Sequence, residues 1–383
     1  MFYFDYNATT PPAPEVIEAY AGALREVPGN ASSTHRAGQA ARQRLEESRA
    51  VIAHALGCSA TEVVFTSGGT EANNLAILGL VRNLPGLVKH IVTTPIEHPS
   101  VLGPVRQLEQ EGVKVTLVDA ADLKQHIRPE TVLVSVMHAN NETGSIQSVE
   151  DVVRFVRARR ASGQSIYLHT DGVQAFGKLD VNVAALDVDL YSVSAHKIHG
   201  PKGIGALYVR KGTPLRGIQL GGRHERDRRA GTENVPGAIA FARAAELLRR
   251  YSMADVAFLR DRFEEQVLSN VDDVEVNGCA ATRLPNTSNL LFHGVSGEAL
   301  LISLDIAGFA VSTGSACTSG SIEPSHVLLA MGRSPAEARS SVRFSFGRDN
   351  TPDDTDRLSE IVIKTVRRLR SNRRLERRQL VGG

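Results

Sequence analysis

Lys197 closes the run Ser192-Val193-Ser194-Ala195-His196-Lys197, which ends a strand-like stretch and leads into Ile198-His199-Gly200-Pro201-Lys202-Gly203. A lysine amine at a strand end, beside a histidine and small residues, is placed to form a Schiff base with a carbonyl compound when part of it is neutral. Most lysines are simply solvated, so the neighbouring clusters decide how this one is read. Upstream, Thr66-Ser67-Gly68-Gly69-Thr70-Glu71 joins a strand-like VVF to a helical stretch over residues 72–80. Paired glycines at such a junction let backbone N–H groups approach a phosphate, and the helix dipole favours the anion. An ordinary tight turn uses the same glycines, and the lysine and spacing of a P-loop are missing. Between the two lies His169-Thr170-Asp171-Gly172-Val173-Gln174, again at a strand end. A buried carboxylate there can keep a heteroaromatic ring nitrogen protonated, although an Asp-Gly pair by itself also makes turns.

A fourth group is Cys317, set in Ser312-Thr313-Gly314-Ser315-Ala316-Cys317-Thr318-Ser319-Gly320-Ser321. The thiolate is the reactive form of cysteine, and a polar run of small residues suits an accessible thiol better than a core one. Cys58, which follows the helix-capping Gly57, and Cys279 receive no role. The three cysteines are neither paired by spacing nor arranged as CxxC, which argues against a disulfide framework or zinc knot. His196 and His199 lack the cysteines or carboxylates that would complete a metal site, so no metal is expected there.

The elements that must position these groups follow from β-branched runs alternating with helical patterns through the first two thirds of the chain. Strands are expected at 63–66, 91–94, 132–137, 166–170, 190–194 and 206–209, and a helix over 38–56 closed by Gly57. Such alternation predicts a largely parallel sheet flanked by helices, with the ligand site at the carboxyl ends of the strands. Past residue 255 the order changes to a long charged helix, short strands at 274–276, 289–292 and 342–346, and a terminal helix. The division expected is a large α/β domain over 15–255, and a smaller α+β domain from 1–14 and 256–383 that carries the Cys317 loop.

A length of 383 residues suits two domains, and 42% hydrophobic with 22% charged residues excludes disordered and fibrous classes. The net charge of +2 gives no global reason to expect a nucleic-acid or membrane partner. A local basic patch exists at 364–378, with Lys364 and seven arginines. A helix end explains it: Thr351 can cap, Pro352 suits the first turn, Asp353 and Asp354 suit the N-terminal dipole and arginines the C-terminal one, with a frayed tail beyond. The first residues lack a signal-peptide pattern, and the longest apolar run, Leu75 to Val81, is too short for a bilayer, so a cytoplasmic location is expected.

The order of glycine turn, aspartate and lysine resembles the fold-type I pyridoxal 5'-phosphate (PLP) enzymes of the class V aminotransferase branch. The resemblance narrows to the cysteine desulfurases through Asp5-Tyr6-Asn7-Ala8-Thr9-Thr10, Gly29-Asn30 with Ser32-Ser33-Thr34-His35, Glu97-His98, Asn140-Asn141-Glu142-Thr143-Gly144, Arg229-Ala230-Gly231-Thr232 and Ser315-Ala316-Cys317-Thr318-Ser319. These motifs span nearly the whole chain. Fold-type I membership implies a large domain with a mostly parallel, seven-stranded type of sheet.

The resemblance also implies roles. Lys197 would hold PLP and shuttle the substrate Cα proton, and Asp171 would pair with the pyridine nitrogen. Gln174 and Asn141 would contact the ring's phenolic oxygen or the substrate. Gly69, Thr70, Ser194 and His196 would bind the phosphate, joined by Thr232 from the second subunit of a homodimer. His98 would stack on the ring and assist proton transfer, and Arg343 would clamp the substrate carboxylate. Cys317 would take the sulfur of L-cysteine as a persulfide, leaving alanine, and could serve as a transient iron-sulfur ligand. The long loop through Ile322-Glu323-Pro324-Ser325-His326 resembles the branch that feeds iron-sulfur scaffolds and tRNA thiolation. Two departures stand out: the short arginine-rich end RRLERRQLVGG puts scaffold docking in question, and Asp171-Gly172 replaces the more usual Asp-Ala. A selenocysteine lyase or another class V enzyme would share Lys197 and Asp171 without needing Cys317, and a non-catalytic scaffold protein would need neither.

Overall fold

The computed structural model describes residues 1–278, 282–313 and 323–381, with 373–381 described through their backbone alone. The chain divides into two compact units, one of Thr10–Ala139 with Gln147–Arg250, the other of Met1–Thr9, Asn140–Ile146 and Tyr251–Gly383.

The larger unit is built on strands β1 (Val63–Thr66), β2 (His90–Thr93), β3 (Lys114–Leu117), β4 (Thr131–Ser135), β5 (Tyr167–Asp171), β6 (Leu190–Ser194) and β7 (Gly205–Val209). They form one seven-stranded sheet in the order β1-β7-β6-β5-β4-β2-β3. Every residue of β1, β2, β6 and β7 is buried, as expected of strands covered on both faces, and β1 and β7 accordingly lack polar alternation. Strands β2 to β6 are parallel, whereas β7 runs antiparallel to both β1 and β6. Two reversals in succession make β1 run in the same sense as β6. The carboxyl ends of β1, β5 and β6, at Thr66, Asp171 and Ser194, therefore meet at one edge of the sheet. The edge strand β3 escaped the sequence pattern because it is half exposed and lacks an apolar run.

Helices α1 (Pro14–Glu26), α2 (Arg36–Leu56), α3 (Gly69–Val81), α4 (Pro99–Gln110), α5 (Val149–Ala161) and α6 (Val235–Leu247) belong to this unit. Helix α2 stops at Gly57, whose φ of 71° places it in the left-handed region and lets its N–H reach the carbonyls of Ala53 and His54. Residues 69–71, expected in a turn, form the first turn of α3 instead, because Gly68 serves as the cap.

In the smaller unit, β8 (Val274–Val276), β9 (Thr287–Phe292) and β10 (Ser341–Ser345) form an antiparallel sheet in the order β10-β9-β8. Phe2–Tyr3 pairs in parallel with Phe309–Ala310. Helices α7 (Met253–Asn270) and α8 (Pro352–Val381) join a core of Phe4, Phe263, Phe292, Phe344, Phe346, Leu358 and Val362. Thr351 caps α8 through its hydroxyl, which accepts from the Asp354 N–H at 3.1 Å. Arg367 donates to the carbonyl of Asn270, and Arg370 to those of Asp272 and Asp273, so these members of the basic run stitch one helix to the end of another. The backbone stays helical through Val381 instead of fraying, since the run after Ser371 holds neither Gly nor Pro before Gly382. Among the described residues, no helix is long and apolar enough to cross a membrane.

Candidate active site

The edge formed by β1, β5 and β6 gathers the glycine turn, Asp171 and Lys197 within the larger unit. Asp171 ends β5 and is buried; its Oδ1 accepts from the Val173 N–H at 3.0 Å and its Oδ2 from Asn73 Nδ2 at 2.7 Å. Asn73 projects from α3 and gives its other hydrogen to Ser100 Oγ at 2.8 Å. Ser100 in turn lies 2.7 Å from His98 Nδ1 through its hydroxyl, and its backbone N–H donates to the same nitrogen at 3.1 Å. A backbone N–H can only donate, so Nδ1 is an acceptor and a neutral His98 carries its proton on Nε2. His98 caps α4, followed by Pro99 at the first helical position, where a missing N–H costs nothing. A continuous chain of hydrogen bonds thus runs from His98 through Ser100 and Asn73 to Asp171.

The adjoining end of the site suits an anion. A Cβ on Gly69 would stand 2.7 Å from Val173 Cγ2, so a side chain there would have to displace Val173, the residue after Asp171-Gly172; Ser194 Cβ, at 3.6 Å, is in ordinary contact range. Ser194 Oγ is buried with no hydrogen-bonding partner among the described residues. An orphaned buried hydroxyl costs free energy unless a ligand satisfies it. Thr70 is exposed in the first turn of α3. His196 and Lys197 lie in the single 3-10 turn after β6. Burial, reinforced by the charges of Lys197 and Lys202, lowers the His196 pKa to about 4, so its imidazole is neutral at ordinary pH. Gln174 Oε1 accepts from Lys178 Nζ at 2.6 Å in a buried pair.

Glu97, next to His98, is wholly buried; its Oε1 accepts from the Thr94 hydroxyl and the Met137 N–H, both at 2.8 Å. Burial, the largest effect, raises its pKa to about 8. The carboxyl ties the loop that holds His98 to the end of β4.

Thr232 is exposed, in a segment anchored further back. Glu225, Arg226 and Asp227 all have positive φ, at 46°, 58° and 64°, a strained stretch for side-chain-bearing residues. Buried Arg49 of α2 clasps Glu225 through both guanidinium ends, at 2.6 and 2.7 Å, and the Phe65 N–H adds a third bond at 2.8 Å. Arg229 then reaches Glu71 of α3 at 2.8 Å.

In the smaller unit, buried Arg343 sits at the centre of β10. Its Nη2 donates to Asp5 Oδ1 at 2.7 Å and its Nη1 to the Asn141 carbonyl at 2.9 Å, while its Nε is buried without a partner among the described residues. The Arg343 N–H donates to the Ser312 carbonyl at 2.6 Å. Cys317 and Cys279 lie outside the described residues. Burial pushes the Cys58 thiol up to about 12, which keeps it protonated and unreactive. Among the described residues, no group of three or more His, Cys, Asp or Glu side chains could hold a metal.

Sequence reasoning missed Asn73 and Ser100 and gave Asp5 and Glu97 no role. Asn73 stands beside Asn74, Thr70 and Glu71 in the first turns of α3, and only its burial in the fold sets it apart from them.

Residues 2–358 match the family model for aminotransferase class-V. A curated relative from Dictyoglomus turgidum, named cysteine desulfurase IscS, is 44% identical over 380 residues, spanning 96% of this chain and 95% of the relative. Among solved structures, a NifS-like protein superposes with a TM-score of 0.88 at 34% identity, covering 96% of this chain and all 100% of its own. Another, named SspA in complex with cysteine, gives a TM-score of 0.81 at 33% identity, covering 92% of this chain and 100% of its own.

Proposed function

The chain belongs to the aminotransferase class-V family and is a cysteine desulfurase, and from that premise we propose how its residues take the sulfur atom from L-cysteine. The residues at the sheet edge fit pyridoxal 5'-phosphate. Gly69 and Thr70 at the start of α3, with Ser194 and neutral His196, would hold the phosphate; Asp171 would hold the ring nitrogen, Gln174 the phenolic oxygen, and His98 the ring face. When bound, the cofactor supplies a sink for the electrons left at the substrate Cα.

Lys197 Nζ would hold the cofactor and move the proton at the substrate Cα. Arg343, its guanidinium fixed by Asp5 and the Asn141 carbonyl, clamps the substrate carboxylate, with the Asn141 side chain alongside. His98 would stack on the ring and assist proton transfer through Nε2. Cys317 Sγ attacks the substrate sulfur, so that the Cβ–S bond breaks as an S–S bond forms. The products are a Cys317 persulfide and, after reprotonation, L-alanine. We extend the same proposal to a cytoplasmic homodimer in which Thr232 completes the neighbouring subunit's phosphate site. Iron-sulfur scaffold or other acceptor proteins receive the sulfur, and Cys317 is a transient iron-sulfur ligand.

The observation that carries the cofactor assignment is the buried, partnerless Ser194 Oγ beside the side-chain-free start of α3. The test is an absorption spectrum of the purified protein before and after L-cysteine, with Lys197→Ala alongside. Wild type should be yellow and shift with L-cysteine, and Lys197→Ala should produce no alanine. A colourless wild type able to make alanine, or turnover by Lys197→Ala, would refute the assignment.

A further inference from the structure

Tyr191 lies at the middle of the sheet on β6 and is fully buried. A Cβ on Gly172 would stand 1.9 Å from Tyr191 Cε1, 2.0 Å from Cζ and 2.4 Å from the hydroxyl oxygen. No side chain tolerates such distances, and a ring rooted in a central strand cannot step aside. The tyrosine ring thus occupies the volume that any side chain at 172 would need.

The hydroxyl of that ring is tethered as well. Tyr191 Oη lies 2.8 Å from His138 Nδ1, and the two rings meet edge to face with centroids 6.0 Å apart. Burial, with the Asp171 charge adding to it, holds the phenol proton on Tyr191, and burial lowers the His138 pKa. A protonated phenol and a neutral imidazole share this hydrogen bond. His138 donates its backbone N–H to the Asp171 carbonyl at 2.9 Å, and the Gly172 N–H donates to the carbonyl of Ser192, the residue after Tyr191, at 3.0 Å. The backbone of Asp171 is held from one side by His138 and from the other by the strand that carries Tyr191, and Tyr191 links the two.

We propose that Tyr191, fitted against Gly172 and tied to His138, is a positioning residue that fixes where the Asp171 carboxylate meets the cofactor's ring nitrogen. This rests on the reading of Asp171 given above. Tyr191 need not touch the cofactor: its ring sets the height of the backbone at 171–172, and its hydroxyl fixes the neighbouring strand end.

The experiment compares wild type with Gly172→Ala, Tyr191→Phe, Tyr191→Leu, Gly172→Ala/Tyr191→Leu and Asp171→Asn. Thermal melts are recorded on cofactor-stripped protein, and binding and absorption are followed in titrations with pyridoxal phosphate across pH. Tyr191→Phe removes one oxygen and keeps the packing. It should melt near wild type yet bind pyridoxal phosphate about 3- to 10-fold more weakly, with a shifted pH profile of the bound absorption. Gly172→Ala should lose on the order of 10-fold or more in binding, and Tyr191→Leu should recover much of that loss in the double variant, because leucine vacates the ring volume. Additive effects at 172 and 191, or a Tyr191→Phe protein matching wild type in affinity and pH profile, would overturn the proposal while Asp171→Asn still altered the spectrum. An Asp171→Asn protein with unchanged affinity and absorption would overturn the reading of Asp171 and the proposal with it. The melts separate the two cases, since coupling between 172 and 191 in stripped protein does not depend on Asp171.

Discussion

Asn73 gives one hydrogen of its side-chain amide to Asp171 Oδ2 at 2.7 Å and the other to Ser100 Oγ at 2.8 Å. One amide on α3 therefore holds the carboxylate at the end of β5 and the serine that orients His98.

Replacing Asn73 with alanine would leave a buried carboxylate oxygen short of a donor, a loss of about 1–3 kcal/mol for a bond to a charged group. Asn73→Ala should lower the melting temperature and weaken pyridoxal phosphate binding together. Equilibrium dialysis showing wild-type affinity would exclude Asn73 from the site.

Glu97 makes stability depend on pH in a stated direction. Its pKa rises from 4.5 to about 8 through burial, so the folded protein favours the neutral acid while the unfolded chain ionises first. Its contribution is complete below 4.5 and is lost as pH climbs through about 8. Glu97→Gln, neutral at every pH, should gain melting temperature over wild type by more at about pH 9 than at about pH 5. An equal offset at both would show that Glu97 does not titrate in this range.

Arg343 presents a planar fork already held by Asp5 and the Asn141 carbonyl. Arg343→Lys keeps the charge and loses the fork, so KM for L-cysteine should rise roughly 10-fold or more with a smaller change in kcat. A kcat defect at unchanged KM would remove Arg343 from carboxylate binding.

Cys317→Ser should separate the halves of the reaction. The variant should stay yellow and still change its spectrum with L-cysteine, yet form no persulfide and release alanine only at background, because a serine oxygen is a poor sulfur acceptor. Cys58→Ser and Cys279→Ser should alter neither step. Mass spectrometry locating the added sulfur on either of those peptides would overturn the assignment of Cys317.

Most of the sheet was legible in the sequence, because buried strands are rich in β-branched and aromatic residues: 63–66 and 190–194 fall where expected, and the others shift by one or two residues. The half-exposed 114–117 strand lacks an apolar run and was invisible. Lys197, Asp171 and Gly69 were legible as residue types at strand ends. The support around them was not, since Asn73, Ser100, Glu97 and Tyr191 act through contacts between segments far apart in sequence. No local pattern encodes that Gly172 is glycine on account of a ring nineteen residues later.

The reversed strand β7 has a consequence for how the molecule comes into being. Among the described residues β1 pairs with no strand but β7, so in a growing chain that has emerged only to residue 200 the strand leading into the glycine turn has no strand to pair with, although α3 after it can already reach Ser100 and Asp171 through Asn73. The phosphate-binding end of the site closes late, as a hairpin of β6 and β7 offers its outer edge to a segment made some 140 residues earlier. Such long-range closure is slow. Until it occurs the edge of β1 is open to pairing with another chain, so the interval before residue 209 leaves the ribosome carries a hazard of misassociation.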